Sequence, residues 1–306
     1  VSKSLLLLIL TIFFLSSCSK YSSKSADPHN SIEPEAVPGV QRHHTQIGNF
    51  YDRVVGAQEI QKQYSRSILK IENSLTGSPG IAVFLGLFED LYIFVTNKHV
   101  FDADKTACDE FLSVSSTDGL DFFTCSEIAF SMKNMDLTFF GAERWSGSRD
   151  LHPQIFKSSA FAAQESLTLR TIDRDLNQIV IDQGQDCFAL DFKPRFIKDP
   201  DTLSDLSLSS WSLPIGCDSQ PGDSGSPVFD QEGFVAGILW GGKTVKNFKS
   251  SADILLESLT GHELVWRDYN FMVPASAIKL GLETGVESTN LRVSRLINRI
   301  LNFNFE

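Results

Sequence analysis

Apolar residues between positions 66 and 274 fall in short runs, and turn residues separate nearly all of them. "SILKIE" (67–72) alternates in part. "GIAVFLGLF" (80–88) and "LYIFVTN" (91–97) are nearly continuous apolar runs split by Glu89-Asp90, which predicts a hairpin. "FLSVSS", "DFFTCSEIAF" and "DLTFFGA" follow. The second half has the same style, with "SLTLRTI", "QIVIDQG", "CFALDF", "SPVFD", "FVAGILW" and "NFMVP". Short strands bounded by turns predict an all-β fold of barrels or sandwiches. Two later stretches change period. "ASAIKLGLE" (275–283) and "STNLRVSRLINRIL" (288–301) read as helices, the second with Leu291, Leu296, Ile297 and Ile300 along one face for packing on a barrel.

The first residues do not belong to this pattern. Lys3 precedes an apolar run at residues 5–15, too short to span a bilayer. The run ends in "LSSC" (15–18), which resembles the lipobox of bacterial lipoproteins. The resemblance implies a signal peptide at 1–17, removed before a lipidated Cys18, and export to the cell envelope. Ser19 rather than aspartate after that cysteine leans towards the outer membrane. Residues 18–53, with "SKYSSKSADPHNS" at their start, read as a flexible tether. His29, His43 and His44 lie there, without the cysteine or carboxylate spacing of a metal site. No metal or cofactor is expected.

Composition narrows the partners. The chain has 306 residues and a formal net charge of -11, without any Lys/Arg-rich run, which argues against nucleic acid. Its 24 phenylalanines suit barrels or sandwiches. Cys18 set aside, Cys108, Cys125, Cys187 and Cys217 remain. An even number in an exported chain predicts two disulfides out of three connectivities. Pairing Cys108 with Cys125 and Cys187 with Cys217 keeps each bridge within one half of the chain.

The candidate chemistry lies in "QPGDSGSPVF" (220–229), a loop of glycines and prolines shaped around Asp223-Ser224. A serine hydroxyl attacks only when a base takes its proton, and a histidine base needs an orienting carboxylate. Of the histidines in the folded part, His99 follows an apolar strand in "FVTNKHVF". His152 and His262 read as surface residues. Asp136 opens "DLTFFGA" at the mouth of a strand, where a carboxylate can be partly buried; a plain turn role fits it equally well on these grounds. Asp102 is too close to His99 in sequence, and Asp109, Asp118 and Asp121 fall in a turn-rich segment.

"TNKHV" around His99, "DLTFF" from Asp136 and "GDSGSPVF" around Ser224, in that order, resemble the chymotrypsin-like (trypsin-fold) serine peptidases, in a bacterial style. The resemblance covers about residues 54–280. It implies two six-stranded antiparallel β-barrels, about 54–150 and 151–290, with a C-terminal helix at 291–306. It implies Ser224 as nucleophile, His99 as general base and acid, Asp136 as its orienter, and the backbone N–H groups of Gly222 and Ser224 as the oxyanion hole. Protein or peptide substrates follow.

Finer points rest on the same resemblance. Counting back six residues from Ser224 gives Asp218 as the floor of the specificity pocket, with Trp240 and Gly241 on its wall. This favours Arg or Lys before the cut by charge pairing. A surface-turn cap is the competing role for Asp218. Ile238 stands where glutamate-specific members have a histidine. "DRVVGA" (52–57) resembles an activation site, since cleavage after Arg53 would free Val54 to pair with Asp223; tether and first strand is the other reading. The chain departs from the animal pattern in the place of Cys217, in Ser226 for a glycine, and in a long insertion after Trp240. The alternative to an active peptidase is a catalytically inactive relative acting as a lipid-anchored binding module.

Overall fold

The run "GIAVFLGLF" does not alternate because both faces of its strand are covered. In the computed structural model, β3 (Pro79–Phe88) sends Ala82 and Phe84 into one core, and Ile81, Val83 and Leu85 into another. A strand covered on both faces has no polar side to show in its sequence. The structure describes residues 53–74, 77, 79–101, 112–158, 161, 165–182, 187–189, 193–198, 209–217, 219, 222–242, 270–284 and 290–306. The expected signal peptide, Cys18, most of the tether, Cys108, Asp218, His262 and most of the insertion lie outside the described residues.

Around β3, a closed antiparallel barrel runs in the order β2-β3-β4-β7-β6-β5. Its other strands are β2 (Ile68–Asn73), β4 (Leu91–Thr96), β5 (Leu112–Ser115), β6 (Phe122–Ser131) and β7 (Thr138–Ser146). The hairpin turns at Glu89-Asp90 as the pattern predicted, with Phe88 opposite Leu91. The barrel interior holds Phe84, Phe94, Phe123 and Phe140 in ring contact.

The second half forms an eight-stranded sheet, β1-β9-β8-β12-β13-β14-β11-β10. Its strands are β1 (Arg53–Val55), β8 (Thr168–Asp173), β9 (Gln178–Asp182), β10 (Arg195–Lys198), β11 (Ser209–Ile215), β12 (Pro227–Phe229), β13 (Val235–Gly242) and β14 (Asn270–Pro274). Six strands were expected here. The sheet has eight because β1 and β10 extend its two ends. Residues 187–189 curl it round, since Phe188 bridges Ser166 and Ala189 bridges Ile215. This is the two-barrel architecture of trypsin-like folds. Leu169, Leu213, Ile215, Val228, Leu239 and Met272 fill the second interior.

Helices cover what the sheets leave open. α1 (Gln58–Tyr64) and α2 (Lys98–Phe101) are short, and α3 (Ala275–Thr284) follows β14 directly. α4 (Leu291–Phe303) begins at Asn290, whose side chain accepts the Arg292 N–H at 2.9 Å. Leu296, Ile297 and Ile300 are buried between the barrels and α3. Leu291, expected on that face, is 75% exposed. Each residue turns a helix by about 100°, which carries Leu291 to the side opposite the centre of the buried trio. Arg292 and Arg295 instead reach Glu89 at the tip of the β3–β4 hairpin, at 2.7 and 3.1 Å.

Cys187 and Cys217 form the expected disulfide, 30 residues apart. Cys125 is also disulfide-bonded, and its partner lies outside the described residues. The Cys187–Cys217 bridge ties the segment that closes the second barrel to the end of the chain that follows β11. A loop of that length restrains the unfolded chain by about 3–4 kcal/mol. Replacing both cysteines by alanine is therefore expected to lower the Tm by on the order of 10 °C in calorimetry. An unchanged Tm would show that the bridge adds nothing beyond packing.

Candidate active site

The loop at 222–226 is wedged between the two barrels. On one side, Ile81 N–H of β3 donates to the Ser224 carbonyl at 2.7 Å. On the other, Gly225 N–H donates to Leu239 O of β13 at 2.9 Å. Gly225 has φ +92°, and a Cβ there would lie 2.0 Å from the Ile81 carbonyl oxygen. Only glycine tolerates both the backbone angle and the approach. Thr96 on β4 caps the same carbonyl, its hydroxyl donating to Ile81 O at 2.6 Å. The strand that leads to His99 is thereby tied to the strand that holds Ser224.

His99 lies in α2, a single turn directly after β4. Its main-chain N–H donates to Asp136 Oδ1 at 3.0 Å. Its ring nitrogen Nδ1 lies 2.5 Å from Asp136 Oδ2, and Nε2 lies 2.9 Å from Ser224 Oγ. Asp136 is 1% exposed, in the loop between β6 and β7. Its carboxylate accepts from the main-chain N–H and from Nδ1 of His99, which fixes the ring plane and leaves the proton on Nδ1. Nε2 then presents its lone pair to the Ser224 hydroxyl. The side chain of Asn97 and the N–H of Lys98 donate to the Asp136 carbonyl at 2.9 and 3.3 Å. The structure therefore brings the three predicted residues together in one hydrogen-bonded line. His152 is exposed, as expected. Asp118 and Asp121 turn instead to Arg149, with Asp121 Oδ2 accepting from its Nε at 2.6 Å.

Gly222 has φ +101°, and a Cβ there would lie 2.8 Å from Nε of Arg174. Arg174, in the turn after β8, thus lies against the residue whose N–H was expected to face an oxyanion. Burial pulls its guanidinium pKa below the usual value, while the carboxylates of Glu72 and Asp223 nearby push it back up. No local motif marks this arginine, because only the fold brings it to the loop.

Asp223 is 1% exposed. Its Oδ1 accepts from the Thr171 hydroxyl at 2.7 Å, and the Ser226 hydroxyl donates to Thr171 Oγ1 at 2.8 Å. Ser226, noted in the sequence only as a substituted glycine, thus helps hold the loop. The residues after Arg53 form β1, where Val54 lies opposite Ile181 of β9.

The expected pocket wall is described in part. Trp240 is 4% exposed and packs with Phe271, its indole N–H donating to Ser212 Oγ at 2.8 Å. Among the described residues, a Cβ at Gly241 would meet nothing within 4 Å.

Compared with solved structures, the chain is similar to three crystal structures of the Rv3671c protease of M. tuberculosis. The inactive form has 15% sequence identity and a TM-score of 0.46, over 75% of this chain and 96% of that one. The inactive form of a serine-to-alanine mutant gives 14% and 0.47, over 78% and 100%. The active form gives 13% and 0.48, over 83% and 96%. No family model and no curated protein matches the chain.

Proposed function

We propose that the protein is a serine endopeptidase that cleaves peptide bonds through an acyl-enzyme. One observation carries this reading: His99 joins the Ser224 hydroxyl to the buried Asp136 carboxylate, at 2.9 and 2.5 Å. In the proposed reaction, Ser224 Oγ attacks the substrate carbonyl and His99 Nε2 takes its proton. His99 then gives the proton to the leaving amine. Asp136 holds the ring and balances its positive charge. The N–H groups of Gly222 and Ser224 receive the carbonyl oxygen as it becomes negative. Water then repeats the sequence to release the acid. None of these steps calls for a metal or cofactor.

A fluorophosphonate is expected to label the wild-type chain, and S224A to take up none. Peptide turnover by S224A should fall by on the order of a millionfold, as triad losses do elsewhere. A folded wild type that neither labels nor cleaves would favour the inactive, substrate-binding relative instead.

The anchoring reading rests on "LSSC" after the apolar run. In this proposal Cys18 carries lipid at the envelope, on the outer membrane, and the tether holds the two barrels off the surface. More than one acyl chain makes such an anchor stable. Labelled palmitate is expected in the wild type and absent from C18S; label retained by C18S would end the proposal.

Substrate preference is the third part. Asp218 at the pocket floor would select Arg or Lys before the cut, and a glycine at 241 leaves room for a long side chain. Peptides that differ only at that residue should be cut fastest with Arg or Lys, and D218S should reverse the order. Faster cleavage of Val or Ala peptides, unchanged in D218S, would remove Asp218 from the pocket.

A further inference from the structure

β11 reads Ser-Ser-Trp-Ser-Leu-Pro-Ile, and its Ser210 and Ser212 are fully buried. Buried hydroxyls are costly unless bonded, so the partners of these two show what the strand is for. Ser212 Oγ accepts from the Trp240 indole at 2.8 Å and donates to the Ser210 carbonyl at 2.9 Å. Ser210 Oγ accepts the main-chain N–H of Asp136 at 3.1 Å, across 74 residues of sequence and from the other barrel. Its own proton points to the Trp211 carbonyl at 3.4 Å. One residue on, the Trp211 N–H donates to Asn134 O at 3.1 Å. Two bonds from β11 thus stitch down the loop that carries Asp136. On the other side of the same residue, Asn97 and Lys98 hold its carbonyl.

The geometry points to Ser210 as a positioning residue for Asp136, an assignment that rests on the peptidase reading of the site. The first barrel holds the carbonyl of Asp136 through Asn97 and Lys98 and its carboxylate through His99. Ser210 fixes the N–H end from the second barrel, which also carries Ser224. The acid and the nucleophile are thereby referred to one frame, and His99 is held between them. The line continues through Ser212 to Trp240, so the ring beside Gly241 and the carboxylate behind His99 share one buried set of hydrogen bonds. Ser210 touches no substrate in this account. It acts through the direction in which Asp136 points.

The test uses the full chain, with S210A, D136N and their double variant, and S210C as a second variant that keeps the volume with a weaker acceptor. The rate of fluorophosphonate labelling at Ser224, and kcat and KM on a peptide, are measured beside thermal unfolding. The His99 Nδ1 proton is followed by NMR, a signal that needs no turnover. S210A and S210C are expected to slow labelling and kcat by about 10–100-fold, the scale of a small misplacement, with KM little changed. The His99 ring proton should shift in both. In D136N, losing Ser210 should cost nothing further, because its effect passes through the carboxylate. Equal losses with and without Asp136 would overturn the proposal, as would an unmoved ring proton in S210A and S210C. A wild type that takes no label would sink the peptidase reading, and the ring proton would still decide whether Ser210 positions Asp136.

Discussion

The Ser224–Gly225 peptide has β3 of one barrel on one side and β13 of the other on the opposite side, and the rest of the site depends on that contact. Ile81 donates to it at 2.7 Å, and it donates to Leu239 at 2.9 Å. The contact is close enough that a single methyl at Gly225 would meet a carbonyl oxygen. Such a contact cannot slide, because backbone hydrogen bonds fix it on both sides and leave no room for a side chain. The barrels are therefore set against each other at the nucleophile itself. Thr96 extends the constraint to the strand before His99, and Ser210 extends it to Asp136.

Charge imposes a second condition. Asp223 and Asp136 are both almost fully buried, on either side of Ser224 in the fold. A buried carboxylate needs donors or a nearby cation. Asp136 finds its donors on His99. Asp223 finds the Thr171 hydroxyl, with Arg174 close enough to act on it electrostatically. An ammonium at Val54 would be another way to meet the same need. In this structure Val54 is held within β1, where Gly56 N–H donates to Ile179 O at 3.0 Å and Gln61 bonds both Gly56 O and Ile179 O. Thr171 of β8 and Arg174 in the turn after it act on the loop's charge here.

The sequence made some of this legible and hid the rest for identifiable reasons. Strands whose side chains are apolar on one or both faces stood out, as did the β3–β4 turn, because burial writes itself as hydrophobic residues. β11 did not stand out. Three serines and Pro214 resemble a loop, and the two inward hydroxyls make sense only with Trp240 and Asp136 in place. β1 and β10 are short end strands with exposed Val54, Val55 and Phe196, so they carry no periodic signal. His99, Asp136 and Ser224 were legible because each sits in a local motif. Thr171 and Arg174 were not, since each acquires its role only from a loop about fifty residues away in the chain.

Polar and apolar burial divide the work between the barrels. The apolar interiors hold each barrel together, but hydrophobic packing tolerates small shifts, because similar side chains fill similar space. A proton transfer between His99 and Ser224 does not tolerate them. Around the triad, Thr96, Asn97, Asp136, Thr171, Ser210, Ser212, Asp223 and Ser226 are buried, polar and hydrogen-bonded, beside the apolar cluster that joins the two barrels. A displaced hydrogen bond leaves a buried group without a partner, which costs about 1–3 kcal/mol each. Several such bonds in series make this region far less forgiving than either core. The accuracy of the triad thus comes from the hydrophilic residues around it, and the hydrophobic residues inside and between the barrels supply the stability that lets those polar groups stay buried.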